Sequence, residues 1–416
     1  MSPVSRILNL SLNHSLTHSS PSETLAAVQA TEQTTLRPTT HGNIQIVPIP
    51  RDARSVARFL EVPYGIYDGD PNWVAPLLLD LKKVFTDANP LFEHAEMQLW
   101  IAVQNGRDVG RIMGLEDRLH NEIHQERTAY FGYYESPDDP AVASALLETV
   151  FAWARSRGLD RIVGPANPTS NDEFGLLIEG FDSPPVLMMT YNPPYYATQF
   201  EAAGLRKAKD LVAFYIDIAH SPHDRLNRLA AICRKRHPDL EFRAVTKRSL
   251  KNDLAKIKAV YNAAWEENWG FVPMTDAEID FLAARLKPLL VEGLVWLVEH
   301  GDEPVAFMLA APDFNEALKP LRGRLLSAGL PRFLSYVLGW RHFRLCRVIT
   351  LGAVKGWRGK GLESVMLSEG FKVGFKMGFE GAEASWVIED NVAMCRVIET
   401  MGGHIYKRYR VYDRAL

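Results

Sequence analysis

Four consecutive residues, Arg358-Gly359-Lys360-Gly361, have the types and order that bind an anion. Glycines let backbone N–H groups approach a charged group closely, and a helix starting just after them adds the partial positive charge of its N-terminus. Arg358 and Lys360 contribute formal charge. A helix is predicted from Leu362 and a strand from LCRVITLGAV, so the four residues lie in a strand–loop–helix turn, the physical specification of a diphosphate cradle. A basic surface turn is the plainer reading of the same residues.

The elements that must hold this turn follow from hydrophobic periodicity. The 416 residues are 47% hydrophobic and 23% charged, which is globular and long enough for about two domains. Residues 1–42 are Ser/Thr-rich and poor in large apolar side chains, which predicts a disordered tail. From Ile44 the chain reads IQIVPI (strand), DARSVARFL (helix), a hairpin turning at Asn105-Gly106, the aromatic strand TAYFGYYE, and the amphipathic helix AVASALLETVFAWARSRG ending at Gly158. The second half repeats the order: a hairpin turning at Gly301-Asp302, the strand LCRVITLGAV, the helix ESVMLSEGFKVGFKMG and the strand AEASWVIED. The closing segments FEAAGLRKAKDLVAFYID and IETMGGHIYKRYRVYD look like versions of one unit. The reading is α/β (α+β) layering, twice, with domains at 43–218 and 219–416.

LGAVKGWRGKGL resembles the acyl-CoA-binding signature Arg/Gln-x-x-Gly-x-Gly/Ala of the GNAT acyltransferase superfamily, and AEASWVIEDN with NVAMCRVIETMGG resembles the element that follows it there. The resemblance implies two tandem GNAT-like domains, each a mixed, mostly antiparallel sheet flanked by helices. It implies an acyl-CoA-dependent N-acyltransferase acting through a ternary complex, with acyl-CoA as co-substrate and no bound cofactor. Arg358, Gly359, Lys360, Gly361, Leu362 and Asn391 would hold the coenzyme, and backbone N–H around Ala353–Val354 would steady the oxyanion. An amine acceptor needs a base, for which Glu389, with Asp390 as substitute, stands at a strand end; helix capping is their plainer use. The superfamily often carries a Tyr seven residues after the helix-opening Asn, but Ile398 stands there, so Tyr406 and Tyr409 are the candidate acids, or else core aromatics. Glu363 replaces the last small residue of the signature. The first half offers SPDDPAVA at the matching corner, whose aspartates disfavour phosphate, so one acyl-CoA site is expected, in the second half.

Residues 316–347 read as an insertion, with seven basic residues against Glu316 and many large apolar side chains between them. A basic amphipathic helix of that kind suits an anionic membrane surface or an acyl-chain groove; packing between domains is the alternative. With GPANPTSNDEFGLLIEGF, MMTYNPPYY and SWVIEDNVAM, the insertion resembles a bacterial double-GNAT group that includes ceramide synthases, which acylate sphingoid amines. That implies a long-chain acyl donor and a place in sphingolipid biosynthesis. A catalytically silent acyl-CoA or lipid binder and a small-molecule N-acetyltransferase using acetyl-CoA stand as alternatives. Asn167, Asn171, Asp172 and Glu173 in NPTSNDEFG are candidates for the acceptor head group, in a domain that serves as lid or reader, or simply an Asx-rich turn.

Other signals exclude more than they suggest. Lys+Arg 47 against Asp+Glu 50, net −3, gives no field for nucleic acid. Three scattered cysteines fit a reducing cytoplasm, no apolar run approaches the ~18 residues of a membrane span, and the first residues lack a secretory core. The expected location is cytoplasmic, or peripheral on the inner membrane face. His120 and His124 have helical ligand spacing without the HExxH order, so no metal is expected. Asn262, Trp265, Trp269 and Phe271 either flank a ligand or pack as core aromatics.

Overall fold

The computed structural model describes residues 38–266 and 268–416. The disordered tail expected over residues 1–42 falls mostly outside the described residues. Its end is corrected: Thr39–His41 form strand β1, paired antiparallel with β2 (Ile44–Ile49). The antiparallel run continues through β3 (Ala95–Gln104), β4 (Arg107–Asp117) and β5 (Thr128–Glu135). Helices α1 (Ala53–Glu61), α2 (Pro63–Ile66) and α3 (Leu78–Val84) lie between β2 and β3, and α4 (Arg118–His124) precedes β5. The β3–β4 hairpin turns where the sequence predicts, with Asn105 and Gly106 at φ 51° and 75°, the left-handed pair that matches strand twist.

Helix α5 (Pro140–Ser156) crosses over to β6 (Arg161–Gly164), which runs parallel to β5. The Asp139 carboxylate caps its first turn at the Ala141 amide, and the helix buries nine side chains against the sheet. Removing that cap would cost about 1 kcal/mol. The small ribbon β7 (Ala166–Asn167) and β8 (Glu173–Phe174) follows, then β9 (Leu176–Glu179), α6 (Tyr196–Ala202) and β10 (Arg206–Asp217).

The second half contains α7 (His223–Arg236), β11 (Leu240–Ala244), α8 (Leu250–Trp265), α9 (Asp276–Leu286), β12 (Val295–His300) and β13 (Glu303–Pro312). It continues with α10 (Asn315–Leu318), α11 (Leu330–Val337), β14 (Leu345–Ala353), α12 (Leu362–Met377), β15 (Gly381–Ile388), α13 (Val392–Thr400) and β16 (His404–Ala415).

The halves are not side-by-side copies. Their closing strands are exchanged: β16 pairs with β6 of the first half, β10 pairs with β15 of the second, and β10 and β16 pair with each other. One fourteen-stranded sheet results, in the order β1-β2-β3-β4-β5-β6-β16-β10-β15-β14-β13-β12-β11, with β9 on β16. The apolar core crosses the boundary too, since Leu99, Met113 and Tyr133 share one buried cluster with Ile388, Tyr409 and Val411. Neither half can bury its sheet faces without the other.

The insertion differs from expectation. Residues 316–347 hold no long amphipathic helix but the four-residue α10, a short turn and the eight-residue α11. Ala317, Leu321 and Phe333 form a small core of their own against Leu77. The basic residues disperse: Arg324 pairs with Glu61 at 2.7 Å, Arg344 faces Glu316 at 3.7 Å, and Arg347 belongs to β14, only 3% exposed. Period-two alternation along the strand turns Arg347 inward.

Candidate acyl-transfer site

Strands β14 and β15 run parallel only from Leu345–Val348 alongside Gly381–Ala384. Beyond that they diverge, and a cleft of about 1390 Å³, measured with its open mouth, lies between them. Val348–Leu351 form one wall and Ala384–Ile388 the other; Asn391 and Met394 of α13 lie at the rim. On β13, Leu309 pairs with Thr350 and Ala310 with Val348, leaving Ile349 as an extra residue on β14. Such a bulge leaves its extra residue unpaired in the ladder. A Cβ on Gly352 would fall 2.3 Å from the Trp265 ring, so α8 packs directly on the β14 backbone.

The RGKG corner follows β14. Gly359 and Gly361 take φ of 72° and 86°, the left-handed region that glycine enters at no steric cost, and α12 begins at Leu362 with no side-chain cap. Arg358, Gly359 and Lys360 are exposed. Among the described residues the amides of Gly359, Lys360 and Gly361 donate to no backbone acceptor. The Arg358 guanidinium donates to the Ala353 carbonyl at 3.3 Å and the Ala264 carbonyl at 3.0 Å, and the Lys360 ammonium sits 4.0 Å over the Trp357 ring. The loop is therefore held by its own cations, with an open helix N-terminus beside it. Glu363 lies toward α7, where burial first and its charge second raise the Cys233 thiol pKa. The matching corner of the first half is taken by the Asp139 carboxylate, which binds the Ala141 amide at 2.9 Å.

Several expected residues stand elsewhere. The Val354 amide donates to the Val305 carbonyl at 2.9 Å and is spent in the sheet, and neither Ala353 nor Val354 lines the cleft, which faces Val348–Leu351 instead. Glu389 accepts from the Lys207 ammonium at 2.9 Å and the Asp210 amide at 3.1 Å; Asp390 accepts from Lys209 at 2.8 Å. These carboxylates tie β10 to β15 and do not line the cleft. Tyr406 donates to the buried Glu383, and its pKa is driven far up by burial and that carboxylate. Tyr409 is wholly buried, without a hydrogen-bond partner among the described residues. Both tyrosines read as core members because β16, exchanged into the middle of the sheet, is covered on both faces. Asn391 does line the cleft, and its side chain accepts the Met394 amide at 3.2 Å to open α13.

The NPTSNDEFG loop lies at the foot of the cleft. Asn171 is held by the Tyr261 hydroxyl at 2.9 Å and itself donates to the Val272 carbonyl at 3.3 Å. Asn171 and Asp172 line the cleft; Asn167, Asp172 and Glu173 line a second cavity, about 1320 Å³ with its mouth, walled mostly by the first half with Arg285 and Asn315 from the second. The loop is thus the partition between the two. Asn167 accepts the Tyr133 amide at 2.6 Å. Burial, then repulsion from Asp172, pushes the Glu173 carboxyl up to about 7, opposed by Asn167, Arg285 and Arg347. Burial likewise raises Asp172. Aromatic rings back the partition, with Phe174 6.4 Å from Trp269 and 6.2 Å from Trp386.

Sequence reading missed Arg347. It is fully buried and donates to Ser385 Oγ at 3.0 Å, the Leu187 and Met188 carbonyls at 2.6 and 3.0 Å, and the Ser385 carbonyl at 3.1 Å. It fastens β14 to β15 where they part, and to the segment carrying Met188, which borders both cavities. A charged residue inside an otherwise strand-like apolar run was the available signal.

A tandem GNAT protein from the clavulanic acid biosynthesis pathway superposes with a TM-score of 0.55 at 12% identity, covering 89% of this chain and 98% of its own. A glucosamine N-acetyltransferase region of a fungal multidomain β-N-acetylglucosaminidase gives 0.54 at 12%, covering 90% of this chain and 38% of that one. No family model matches the chain. These likenesses show a tandem GNAT fold. The bacterial ceramide synthase of Caulobacter vibrioides is 34% identical over 383 residues, 91% of this chain and 99% of that protein. Protein YghO of Escherichia coli is 33% identical over 369 residues, 86% and 92% of the two chains. The chain belongs to the family of the bacterial ceramide synthase.

Proposed function

We propose that this protein moves a long-chain fatty acyl group from acyl-CoA to the amine of a sphingoid base, the acylation that makes a ceramide. The observation that carries the reading is the partition loop: one face borders the cleft beside the RGKG corner, the other a cavity lined by Asn167, Asp172 and Glu173. The coenzyme diphosphate takes the RGKG amides and the α12 N-terminus. The thioester carbonyl lies against the bulge at Ile349, whose backbone supplies the oxyanion donor in place of Val354. An amino-alcohol head group enters the second cavity and meets Asp172 and Glu173. A carboxylate titrating near 7 is matched to removing a proton from an ammonium at neutral pH, so Glu173 is the proposed base, ahead of the ion-paired Glu389. The amine nitrogen attacks the carbonyl carbon, the C–S bond breaks as the amide C–N bond forms, the amine proton goes to Glu173, and the thiolate takes a proton from water.

Exposed Leu326, Leu338 and Trp340 stand in the same segment as exposed Arg332, Arg341 and Arg344. This surface supports peripheral contact with an anionic membrane, such as the inner face of the cell membrane. No helix among the described residues is long and apolar enough to cross a membrane.

The test is thiol release from acetyl-, octanoyl- and palmitoyl-CoA with sphinganine or small amines as acceptors. Palmitoyl transfer to sphinganine should dominate. Preference for acetyl-CoA with small amines would overturn the substrate assignment, and CoA binding without thiol release would overturn the catalytic step.

A further inference from the structure

Behind β14, on the side covered by α8 and α9, lies a third cavity, about 700 Å³ with its mouth. Leu254 and Ile257 of α8 and Leu282, Ala283 and Leu286 of α9 form its roof; Phe307 and Ala311 of β13 lie in its floor. Lys287 is the only charged residue among those that line it. Of the residues of α9, only Ile279 is buried, while Leu282, Ala283 and Leu286 are half-buried over the cavity. The adjoining side of α9 is firmly anchored: Glu278 bonds His94 at 3.2 Å, and Arg285 bonds Asp80 at 3.2 Å. An amphipathic helix held in place by polar bonds above an unfilled apolar space has a roof's geometry, and such a space favours hydrocarbon over water.

We infer that this chamber takes the acyl chain of the donor, an inference that rests on the long-chain N-acyltransferase reading and names where the chain goes. Two observations choose the donor's chain over the acceptor's. The chamber shares Ile349, the bulge residue, with the coenzyme cleft. It shares no lining residue with the cavity that holds Glu173. A thioester carbonyl at the bulge therefore stands at the chamber's edge, while the acceptor amine comes to it from where the second cavity meets the cleft, at Asp172 and Met188, which line both. Chain-length selection then depends on chamber depth, set by Ala283 in the roof and Ala311 in the floor, the smallest side chains there that a larger one would extend into the space.

The experiment compares wild type with Ala283→Phe and Ala311→Leu. For wild type, palmitoyl-CoA should bind at least ~10-fold more tightly than CoA by calorimetry, below the micelle concentration. Both variants should lose roughly 10-fold or more in kcat/KM for palmitoyl-CoA relative to octanoyl-CoA, the scale on which pockets discriminate chain length. Their affinity for CoA itself and their KM for sphinganine should stay unchanged. A fall that is uniform across donors overturns the inference. So does a change confined to acceptor chain length, which would assign the chamber to the sphingoid tail. Should melting curves show either variant unfolded, the wild-type comparison decides: equal affinity for CoA and palmitoyl-CoA overturns the inference. If wild type transfers no acyl group, the functional reading fails, yet tight palmitoyl-CoA binding that is weakened by Ala283→Phe still places the chain in the chamber.

Discussion

Replacing Arg347 by Met should destabilise the protein more than any exposed arginine does, because of what it leaves behind. Arg347 is 3% exposed and Glu383, whose charge acts on it, is 1% exposed. Methionine fills similar volume but donates nothing, so the Leu187, Met188 and Ser385 carbonyls lose a donor and Glu383 loses its cation. A buried acceptor left without its donor costs about 1–3 kcal/mol, so the stranded carbonyls, with the Arg347 field removed from Glu383, together cost about 3–5 kcal/mol. At about 2 °C per kcal/mol for a chain of this size, Tm should fall by roughly 6–10 °C. The control is Arg344→Met: its pair with Glu316 spans 3.7 Å with the arginine side chain 66% exposed, so less than about 1 kcal/mol is expected. Thermal melts followed by circular dichroism at neutral pH read both. Glu383→Gln in the Arg347→Met background should recover part of the loss, since the orphaned charge goes with it. The reasoning is refuted if Arg347→Met melts within 2 °C of Arg344→Met, or if the second substitution adds its full cost to the first.

Three further outcomes follow from the site and its supports. Glu173→Gln should abolish the acid limb near pH 7 of the rate of acyl transfer and lower kcat by ~100-fold or more, the usual worth of a general base, while Glu389→Gln should change kcat by less than about 3-fold; the reverse pattern would return the base to Glu389. His94 is raised from 6.5 to about 10 by the hydrogen bonds it donates to Asp117 and Glu278. Its folded pKa lies above the unfolded one, so its contribution is whole below pH 6.5 and is lost as pH climbs toward 10; the Tm gap between wild type and His94→Asn should shrink across that window, and a constant gap would show that the charge plays no part. Arg358→Ala should weaken CoA binding at least ~10-fold in calorimetry with Tm lowered by less than 3 °C, and unchanged affinity would remove this residue from the diphosphate corner.

The conformation of the RGKG turn was legible because everything it needs is local. Glycines at 359 and 361, flanking cations and a helix start occupy one short stretch, and their conformation depends on neighbours in sequence. The hairpin at Asn105-Gly106 was legible for the same reason. The surroundings of Glu389 were not. Glu389 ends a strand beside the expected helix-opening Asn391, yet whether it faces the cleft depends on β10, a strand from the other half whose Lys207 claims it. The NPTSNDEFG loop stood out by composition, but its place between two cavities depends on how β14 and β15 separate.

Sequence alone determined the alternation of strands and helices, the internal repetition and the glycine turn that opens α12, since periodicity and turn chemistry act over a few residues. Only the tertiary structure decided the exchange of β10 and β16, the inward turn of Arg347, the ion pairing of Glu389 and the chamber under α9. Each of these sets residues far apart in the chain against one another, and the free energy that fixes them is burial and pairing between elements, which local sequence does not encode.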